Sequence, residues 1–378
     1  MSFFHNLLSK SIRLTVPAFI FLTSSTTALA ANAFLDRFSV VDLVASTVPA
    51  NGDINPYGVA IVQHSAGMLV RGNILVSNFN NSGNAQGTGT TIVQVSPEGS
   101  VTQFAQIEAA NLGNGCPGGV GLTTALVVLK RGWVIVGSLP TTNGSFAGAG
   151  CLIVLDNTGK VVETFMGNGI NGPWDMTALD SGDHALLFVT NVLNGDVAVG
   201  PPHVVNQGTV LRLELAVPKS GAGLPALVST TEIGSGFAET SDPSALVIGP
   251  TGVGLAHDGT LYVADAVNSR VAAIADAVAR TTSLGAGGTD VSVGGAINVP
   301  LGLLIASNGD IVVANGGDGN LVEVTPQGAQ VAVVTVETAT GAGSLFGIAA
   351  AKGQGGVFFV DDGDNTLKVF TKGKKPKP

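Results

Sequence analysis

Charged residues are scarce in this sequence, and long helical or membrane-spanning patterns are missing from it. Asp, Glu, Lys and Arg together make up only 11% of the chain. Beyond residue 30, no apolar run approaches the roughly 20 residues that a membrane-spanning helix needs. No long stretch repeats Ala, Leu, Glu, Lys and Arg with the 3.6-residue period of an amphipathic helix. We therefore expect neither a helical bundle nor a transmembrane span.

Cysteine is nearly absent, which limits the chemistry available to the chain. The only two cysteines are Cys116 and Cys151. A metal site or a redox pair usually needs closer spacing or more partners. In an exported protein, one pair of cysteines predicts one disulfide. We expect a Cys116–Cys151 bridge.

Common catalytic motifs are also missing. There is no G-x-S-x-G nucleophile elbow, and neither cysteine has a histidine nearby in sequence. The glycine-rich run 113–121 lacks the Lys-Ser/Thr pair of a phosphate-binding loop. These runs are therefore interpreted as loops.

The two ends of the chain differ from its middle. Residues 1–30 resemble a secretory signal, with Lys10 and Arg13, an apolar run from Leu14 to Leu22 and the cleavage pattern Ala28-Leu29-Ala30. A transmembrane anchor is the alternative, but the apolar run is about half the required length. We expect an exported protein, periplasmic or extracellular. The basic end, residues 372–378, is predicted to be a disordered tail, and weak attraction to an anionic surface is the alternative.

The body of the chain is acidic. The whole chain has a net charge of −9. Leaving out the two bases of the signal gives −11, and leaving out the four tail lysines gives −15 for residues 31–371. Such a body repels phosphate backbones, which argues against a nucleic-acid partner.

Glycine and short β-branched runs are what the sequence has in abundance. Glycine accounts for 53 of 378 residues, about twice the usual share of roughly 7%. Runs of Val, Ile and Thr alternate with Gly, Asn, Asp and Pro, which is typical of many short strands. Within these runs one unit recurs, ending in Val-x-Asn or Val-x-Asp. Its end-points are Asn78, Asn191, Asp265, Asn315 and Asp362, with Ser138 as a variant.

Each unit predicts four antiparallel strands. An inner strand opens near a Pro or Gly, as at Pro56, Pro173 and Pro300, and small residues there suit the crowded axis of a ring. Two strands flank the Asn/Asp turn, and a fourth follows a tight turn such as Pro326-Gln327-Gly328. Six such units predict an all-β fold, a six-bladed β-propeller formed by residues 31–371 as a single domain.

The segment Gly259–Ile274, "GTLYVADAVNSRVAAI", resembles the core of an NHL repeat. The blades at 300–336 and 346–370 resemble it too, and the first three are looser. The resemblance implies a platform on which a partner sits. Because the last blade has only three strands before the tail, we expect the segment Phe38–Val44 to close the ring by pairing with Thr366–Phe370.

Loop lengths favour one face of the propeller for function. Loops between second and third strands, and between blades, emerge on one face and are long, whereas first-to-second loops are short turns. The segments 218–249 and 280–298 are two of these predicted long loops. Long loops are commonly functional, so we expect an unknown protein or small molecule to bind there. Glycine-rich insertions without function are the alternative. We expect a monomer.

Aromatic side chains mark a candidate binding site. Tyr57, Trp174 and Phe346 lie near the starts of inner strands, where they could form a rim at the channel mouth, with Asp175 beside them. Packing between blades is the alternative role of these rings.

A catalytic alternative comes from the more distant resemblance to gluconolactonase-like propellers. Those proteins hold a divalent cation at the channel, and oxygen ligands of this kind suit Ca²⁺. The candidate ligands are Asn78, Asn191, Asp265, Asn315 and Asp362, with Asp175 adding a carboxylate. However, the inner strands have no Glu where that family has one, and turn capping explains the same residues. A binding scaffold is therefore the preferred function, and a metal-dependent hydrolase is the alternative.

A lyase resembling the peptidyl-hydroxyglycine amidating propellers would need a histidine cluster. The predicted mature chain has four histidines. His64, His184 and His257 are predicted in first-to-second loops of separate blades, and His203 lies in a long loop. This distribution does not favour a zinc site.

Overall fold

Short antiparallel strands follow one another along the described chain. The computed structural model describes residues 33–113, 115–142, 145–146, 148–194, 203–219, 221–339, 343–351 and 355–373. The predicted signal, residues 1–30, lies outside the described residues, as does the predicted tail from residue 374 onward. No described helix is long and apolar enough to cross a membrane.

The described strands form six antiparallel blades in a ring, which confirms the predicted β-propeller. Strand β1 (Val40–Ser46) belongs to the last blade. Blade 1 contains β2 (Ile54–Ile61), β3 (Ile74–Asn80), β4 (Thr91–Val95) and β5 (Val101–Gln106). Blade 2 contains β6 (Leu122–Val128) and β7 (Val134–Ser138), then, after a small hairpin of β8 (Thr141–Thr142) and β9 (Ser145–Phe146), β10 (Cys151–Leu155) and β11 (Val161–Phe165). Short 3₁₀ helices span Leu35–Arg37 and Ala109–Leu112.

The remaining blades follow the same plan from the axis outward. Blade 3 contains β12 (Pro173–Asp180), β13 (His184–Asn191), β14 (Val205–Ala216), β15 (Ala226–Asp242) and the short β16 (Leu246–Ile248). Blade 4 contains β17 (Pro250–Leu255), β18 (Leu261–Asp265), β19 (Arg270–Ile274) and β20 (Thr289–Val293). Blade 5 contains β21 (Pro300–Ile305), β22 (Ile311–Asn315), β23 (Asn320–Val324) and β24 (Gln330–Thr335). Blade 6 contains β25 (Leu345–Ala351), β26 (Gly356–Asp361), β27 (Thr366–Thr371) and then β1.

Burial explains why the second strand of each blade is a continuous apolar run. Every residue of β18 and β22 is buried, because these strands lie between two others in the sheet and between two neighbouring blades. The outermost strand β24 instead alternates between half-buried and exposed residues, as a strand with one solvated face does. The hydrophobic core is divided into clusters between adjacent blades, such as the one that joins Leu75 of blade 1 to Val136 of blade 2.

Two segments predicted as long loops contain strands. Within the predicted loop 218–249, β15 pairs with β14 over most of its length, from Ala226 to Glu239. Within the predicted loop 280–298, β20 forms the fourth strand of blade 4. Both are outer strands with weak apolar alternation, so their strand conformation depends on pairing with the neighbour rather than on local sequence.

The N-terminal segment pairs with the last strand of the chain. Strand β1 lies antiparallel to β27, from the pair Val40–Thr371 to the pair Ser46–Thr366. Just before it, the backbone N–H groups of Phe34 and Leu35 donate to the carboxylate of Glu323 in blade 5, at 2.7 and 2.8 Å. The N-terminal segment therefore contacts both blade 5 and blade 6.

The predicted disulfide is confirmed. Cys116 and Cys151 are bonded, with their Cα atoms 5.5 Å apart. The bond ties the loop that precedes blade 2 to β10, the third strand of the same blade. Because it closes a loop of 35 residues, it restricts the unfolded chain more than the folded one.

Candidate functional site

The six innermost strands surround a central channel. Its volume is about 560 Å³, and each blade contributes apolar side chains to its wall. One residue from each blade illustrates this wall: Val59, Leu126, Met176, Val253, Leu303 and Ile348. Apolar side chains from all six blades therefore line the channel, alongside polar groups.

Glycines let the inner strands approach one another closely at the axis. A Cβ atom on Gly302 would lie 2.2 Å from the carbonyl oxygen of Phe346, and one on Gly347 would lie 2.2 Å from that of Tyr57. Any larger residue would push the blades apart at these positions. This agrees with the prediction that small residues mark the innermost strands.

The channel opens on the face of the short first-to-second turns. Its wall continues to Gln63, Lys130 and Asp180, which lie at that face, beyond or at the ends of the inner strands. Loop lengths had favoured the opposite face. Because short turns leave the channel mouth uncovered, loop length alone does not indicate where the channel is accessible.

The predicted aromatic residues lie at the other end of the channel, and they are buried. The aromatic stack consists of Tyr57, Phe79, Trp174 and Phe346. The Tyr57 ring lies 3.9 Å from Phe346 and 4.5 Å from Phe79, and Trp174 lies 6.4 Å from both Tyr57 and Phe346 (centroid distances). Tyr57 and Trp174 are each 2% exposed and Phe346 is fully buried. These rings pack across blades 1, 3 and 6 instead of forming an open rim.

Hydrogen bonds hold the aromatic stack beneath the hairpin of β15 and β16. The Trp174 Nε1 donates to the carbonyl of Val247 at 2.8 Å, and the Tyr57 hydroxyl donates to that of Ser244 at 3.2 Å. Both polar tips are thus satisfied by backbone, as buried Trp and Tyr require. The stack and this hairpin close the channel on the long-loop face.

Asp175 is a buried carboxyl group on the channel wall. Its Oδ1 accepts the N–H of Met176 at 2.8 Å, and its Oδ2 accepts the N–H of Val253 in blade 4 at 3.2 Å. Burial outweighs these bonds and raises the pKa of Asp175 to about 8. At neutral pH the carboxyl group is therefore mostly protonated, and it can donate a hydrogen bond.

A hydroxyl group that sequence reasoning missed lines the same channel. Thr124 of blade 2 is 4% exposed, and its Oγ1 has no hydrogen-bond partner among the described residues. An unpaired buried hydroxyl costs free energy unless a ligand or water satisfies it. Nothing local in the sequence distinguishes Thr124 from other strand threonines.

The Asn/Asp residues predicted as metal ligands are bonded largely within their own blades. Asn191 accepts the backbone N–H groups of Asn171 and Gly172, at 2.9 and 2.8 Å. Asp265 forms an ion pair with Arg270 at 2.7 Å. A cation shared around the ring would have to displace these bonds.

The remaining members of the predicted ring behave similarly. Asn315 accepts the N–H of Asn298 at 3.1 Å and donates to the carbonyl of Ala296 at 2.7 Å. Asn78 donates to the carbonyl of Thr47 at 3.1 Å, and its Oδ1 has no partner among the described residues. Within the described part of the chain, no group of three or more His, Cys, Asp and Glu side chains is arranged to hold a metal ion.

The ring position in blade 6 is occupied by Asp361, which corrects the predicted Asp362. Asp361 pairs with Thr366 in the ladder, as Asp265 pairs with Arg270 in blade 4. Its carboxylate lies 2.7 Å from the Nζ of Lys368. Two consecutive aspartates made the register ambiguous in sequence, and Asp362 lies one residue further on, in the turn on the long-loop face.

Comparisons with known proteins support the fold and leave the family open. No protein-family model matches the chain, and no curated protein matches it. Among solved structures, a putative gluconolactonase is similar with a TM-score of 0.55 and 13% identity, over 89% of this chain and 94% of that one. A gluconolactonase from Xanthomonas campestris matches with a TM-score of 0.54 and 12% identity, over 88% and 96% of the two chains. A luciferin-regenerating enzyme also matches with a TM-score of 0.54 and 12% identity, over 88% and 95% of the chains. At these identities the similarity to gluconolactonase-like structures shows a shared six-bladed propeller fold and nothing further.

Proposed function

We propose that this chain is an exported β-propeller that binds a small, largely apolar ligand in its central channel. The observation that carries the proposal is a channel of about 560 Å³ whose wall combines apolar side chains from all six blades with two buried polar side chains, Asp175 and Thr124. Ligand sites typically combine an apolar cavity of this size with a few placed polar groups, one of them with a perturbed pKa. Export is supported by the pattern of residues 1–30 and by the disulfide, which persists in oxidising compartments.

The polar groups indicate what such a ligand carries. A protonated Asp175 and the Thr124 hydroxyl can both donate a hydrogen bond, so an uncharged ligand with a carbonyl or ether oxygen fits them. An anion would meet the acidic body of the protein and gain no cationic partner at Asp175. A scaffold role for the surface around the channel mouth is compatible with this proposal.

The proposal is tested by titrating the protein with the apolar fluorophore N-phenyl-1-naphthylamine. Ala349 is half-buried and lines the channel, so Ala349→Phe should fill part of it and weaken binding by at least about tenfold, or about 1.4 kcal/mol. Ala110 is exposed in the short helix after blade 1, and Ala110→Phe serves as the matched control. Equal affinity of the two variants would refute a channel site.

The second candidate is a metal-dependent hydrolase, favoured by the unpartnered Asn78 Oδ1 within the Asn/Asp ring. Elemental analysis of the purified protein, together with melting in the presence and absence of EDTA, separates the two candidates. We expect no stoichiometric Ca²⁺ and no change in melting temperature, because N–H donors already occupy most of the ring oxygens. A bound metal and a clear fall in melting temperature would favour the hydrolase.

A further inference from the structure

A second cavity lies on the long-loop face, on the other side of the aromatic stack from the channel. It has a volume of about 710 Å³. Asn55 and Asn80 of blade 1 line it, together with Asp362 of blade 6 and Ser244 of the hairpin that covers the stack. We call this cavity the amide pocket.

Two buried amide oxygens of the amide pocket have no partner. Asn55 is 6% exposed and Asn80 is 2% exposed, and the Oδ1 of each accepts no hydrogen bond from the described residues. The Asn80 Nδ2 donates to the Oδ1 of Asn84 at 2.7 Å, which orients the amide group. Buried acceptors of this kind are normally satisfied, so they mark a place for a donor from outside the chain.

The third acceptor is the Asp362 carboxylate. No cation pairs with it among the described residues, in contrast to its neighbour Asp361, which is paired with Lys368. Burial, followed by the negative charges of Asp361 and Asp364, raises the pKa of Asp362 to about 7. Such a carboxylate gains more from an incoming positive charge than an exposed one does.

We propose that the amide pocket binds the protonated amino group of a small organic amine. A primary ammonium has three N–H donors, and the pocket offers three acceptor groups in Asn55, Asn80 and Asp362. The cavity is far larger than a bare cation, so it also accommodates the organic part of the ligand. The acidic body of the protein, with a whole-chain net charge of −9, attracts cations to this surface.

Calorimetric titration of the full mature protein with n-butylammonium at pH 8 tests this proposal. Two probes of similar size act as controls: n-butanol has no charge, and tetramethylammonium has the charge without N–H donors. We expect saturable binding of n-butylammonium and much weaker binding of the other two. Tight binding of n-butanol would identify the pocket as a site for neutral hydroxyl ligands and overturn the proposal.

Variants connect the binding to the named atoms. Asp362→Asn should weaken n-butylammonium binding by about tenfold or more, because it removes the only formal charge among the three acceptor groups. Asp42 is exposed on β1 of the same blade, so Asp42→Asn makes the same change in net charge and should leave the affinity unaltered. Asn80→Ala removes one acceptor and should also weaken binding. Unchanged affinity in folded Asp362→Asn, or no saturable binding by the wild type, would refute the proposal.

The pH dependence gives an independent readout. The titratable groups near Asp362 are Asp361, Asp364 and the Tyr57 hydroxyl, with Asp242 on the facing hairpin. As the pH falls below about 7, Asp362 takes up a proton, and the affinity for n-butylammonium should fall by up to about tenfold per pH unit. An affinity independent of pH between 6 and 8 would contradict the role of Asp362. Because the channel probe binds on the far side of the stack, its affinity should be unaffected by Asp362→Asn.

Discussion

At the scale of single residues, Asp175 couples folding to pH. Burial raises its pKa from 3.8 to about 8, so between these values the folded protein holds a proton that the unfolded chain has released. The free energy of unfolding therefore decreases as pH rises through this range, by at most about 1.4 kcal/mol per pH unit for one group. Burial shifts Glu239 and Asp362 in the same direction.

We expect the protein to be more stable at pH 5 than at pH 8, and Asp175→Asn to have a flatter pH profile. The asparagine cannot ionise, although it loses one of the two backbone N–H bonds and so lowers stability at all pH values. Chemical denaturation at several pH values measures the slope separately from this offset. An unchanged slope in Asp175→Asn would show that the channel carboxyl group is not the one that titrates.

The sequence identified Asp175 as a candidate residue but could not show which groups surround it, and it did not identify Thr124. Asp175 was noticeable as a carboxylate on an inner strand, but its partners come from the neighbouring backbone of Met176 and from Val253 in blade 4. Thr124 lines the channel because of the way the inner strand β6 is placed in the ring. The identity of a residue is visible in sequence, whereas the set of groups that converge on it depends on the packing of separate blades.

At the scale of strands, β1 is the element whose contribution is most testable. It adds the fourth strand to blade 6, and the residues just before it bond to Glu323 of blade 5. Without this segment, β27 becomes an exposed edge and the bonds of Phe34 and Leu35 to Glu323 are lost.

Deleting residues 33–46 from the mature chain should abolish the cooperative unfolding transition. Deleting residues 374–378 serves as the control, and the melting temperature should then stay unchanged. Circular dichroism during thermal unfolding measures both. A soluble chain lacking residues 33–46 with the wild-type melting temperature would mean that β1 does not close the ring.

The more deeply a strand is buried, the more clearly its sequence predicts it. Second strands such as β18 and β22 are buried on both sides, so their apolar runs are unmistakable in the sequence. The outer strand β15 contains Ser, Thr, Glu and Gly and is buried only in part. It was predicted as a loop because pairing with β14, rather than its own composition, determines its conformation.

At the scale of the whole molecule, two of the cavities lined by described residues lie on opposite faces of the propeller. The aromatic stack lies between them, with the channel on the short-turn side and the amide pocket on the long-loop side. The ring and its blade count followed from the repeat. The closed end of the channel could not be predicted from the repeat. Tyr57, Trp174 and Phe346 come from blades far apart in sequence, and they contact one another only because the blades meet at the axis.

The most direct test of the channel as the ligand site is a crystal structure of the mature protein grown with N-phenyl-1-naphthylamine. We expect the probe in the channel between Asp175 and the short-turn mouth, beside Met176 and Leu303, with the aromatic stack unchanged. Probe found only on the long-loop face, or an empty channel in crystals whose protein binds the probe in solution, would contradict a ligand site in the channel.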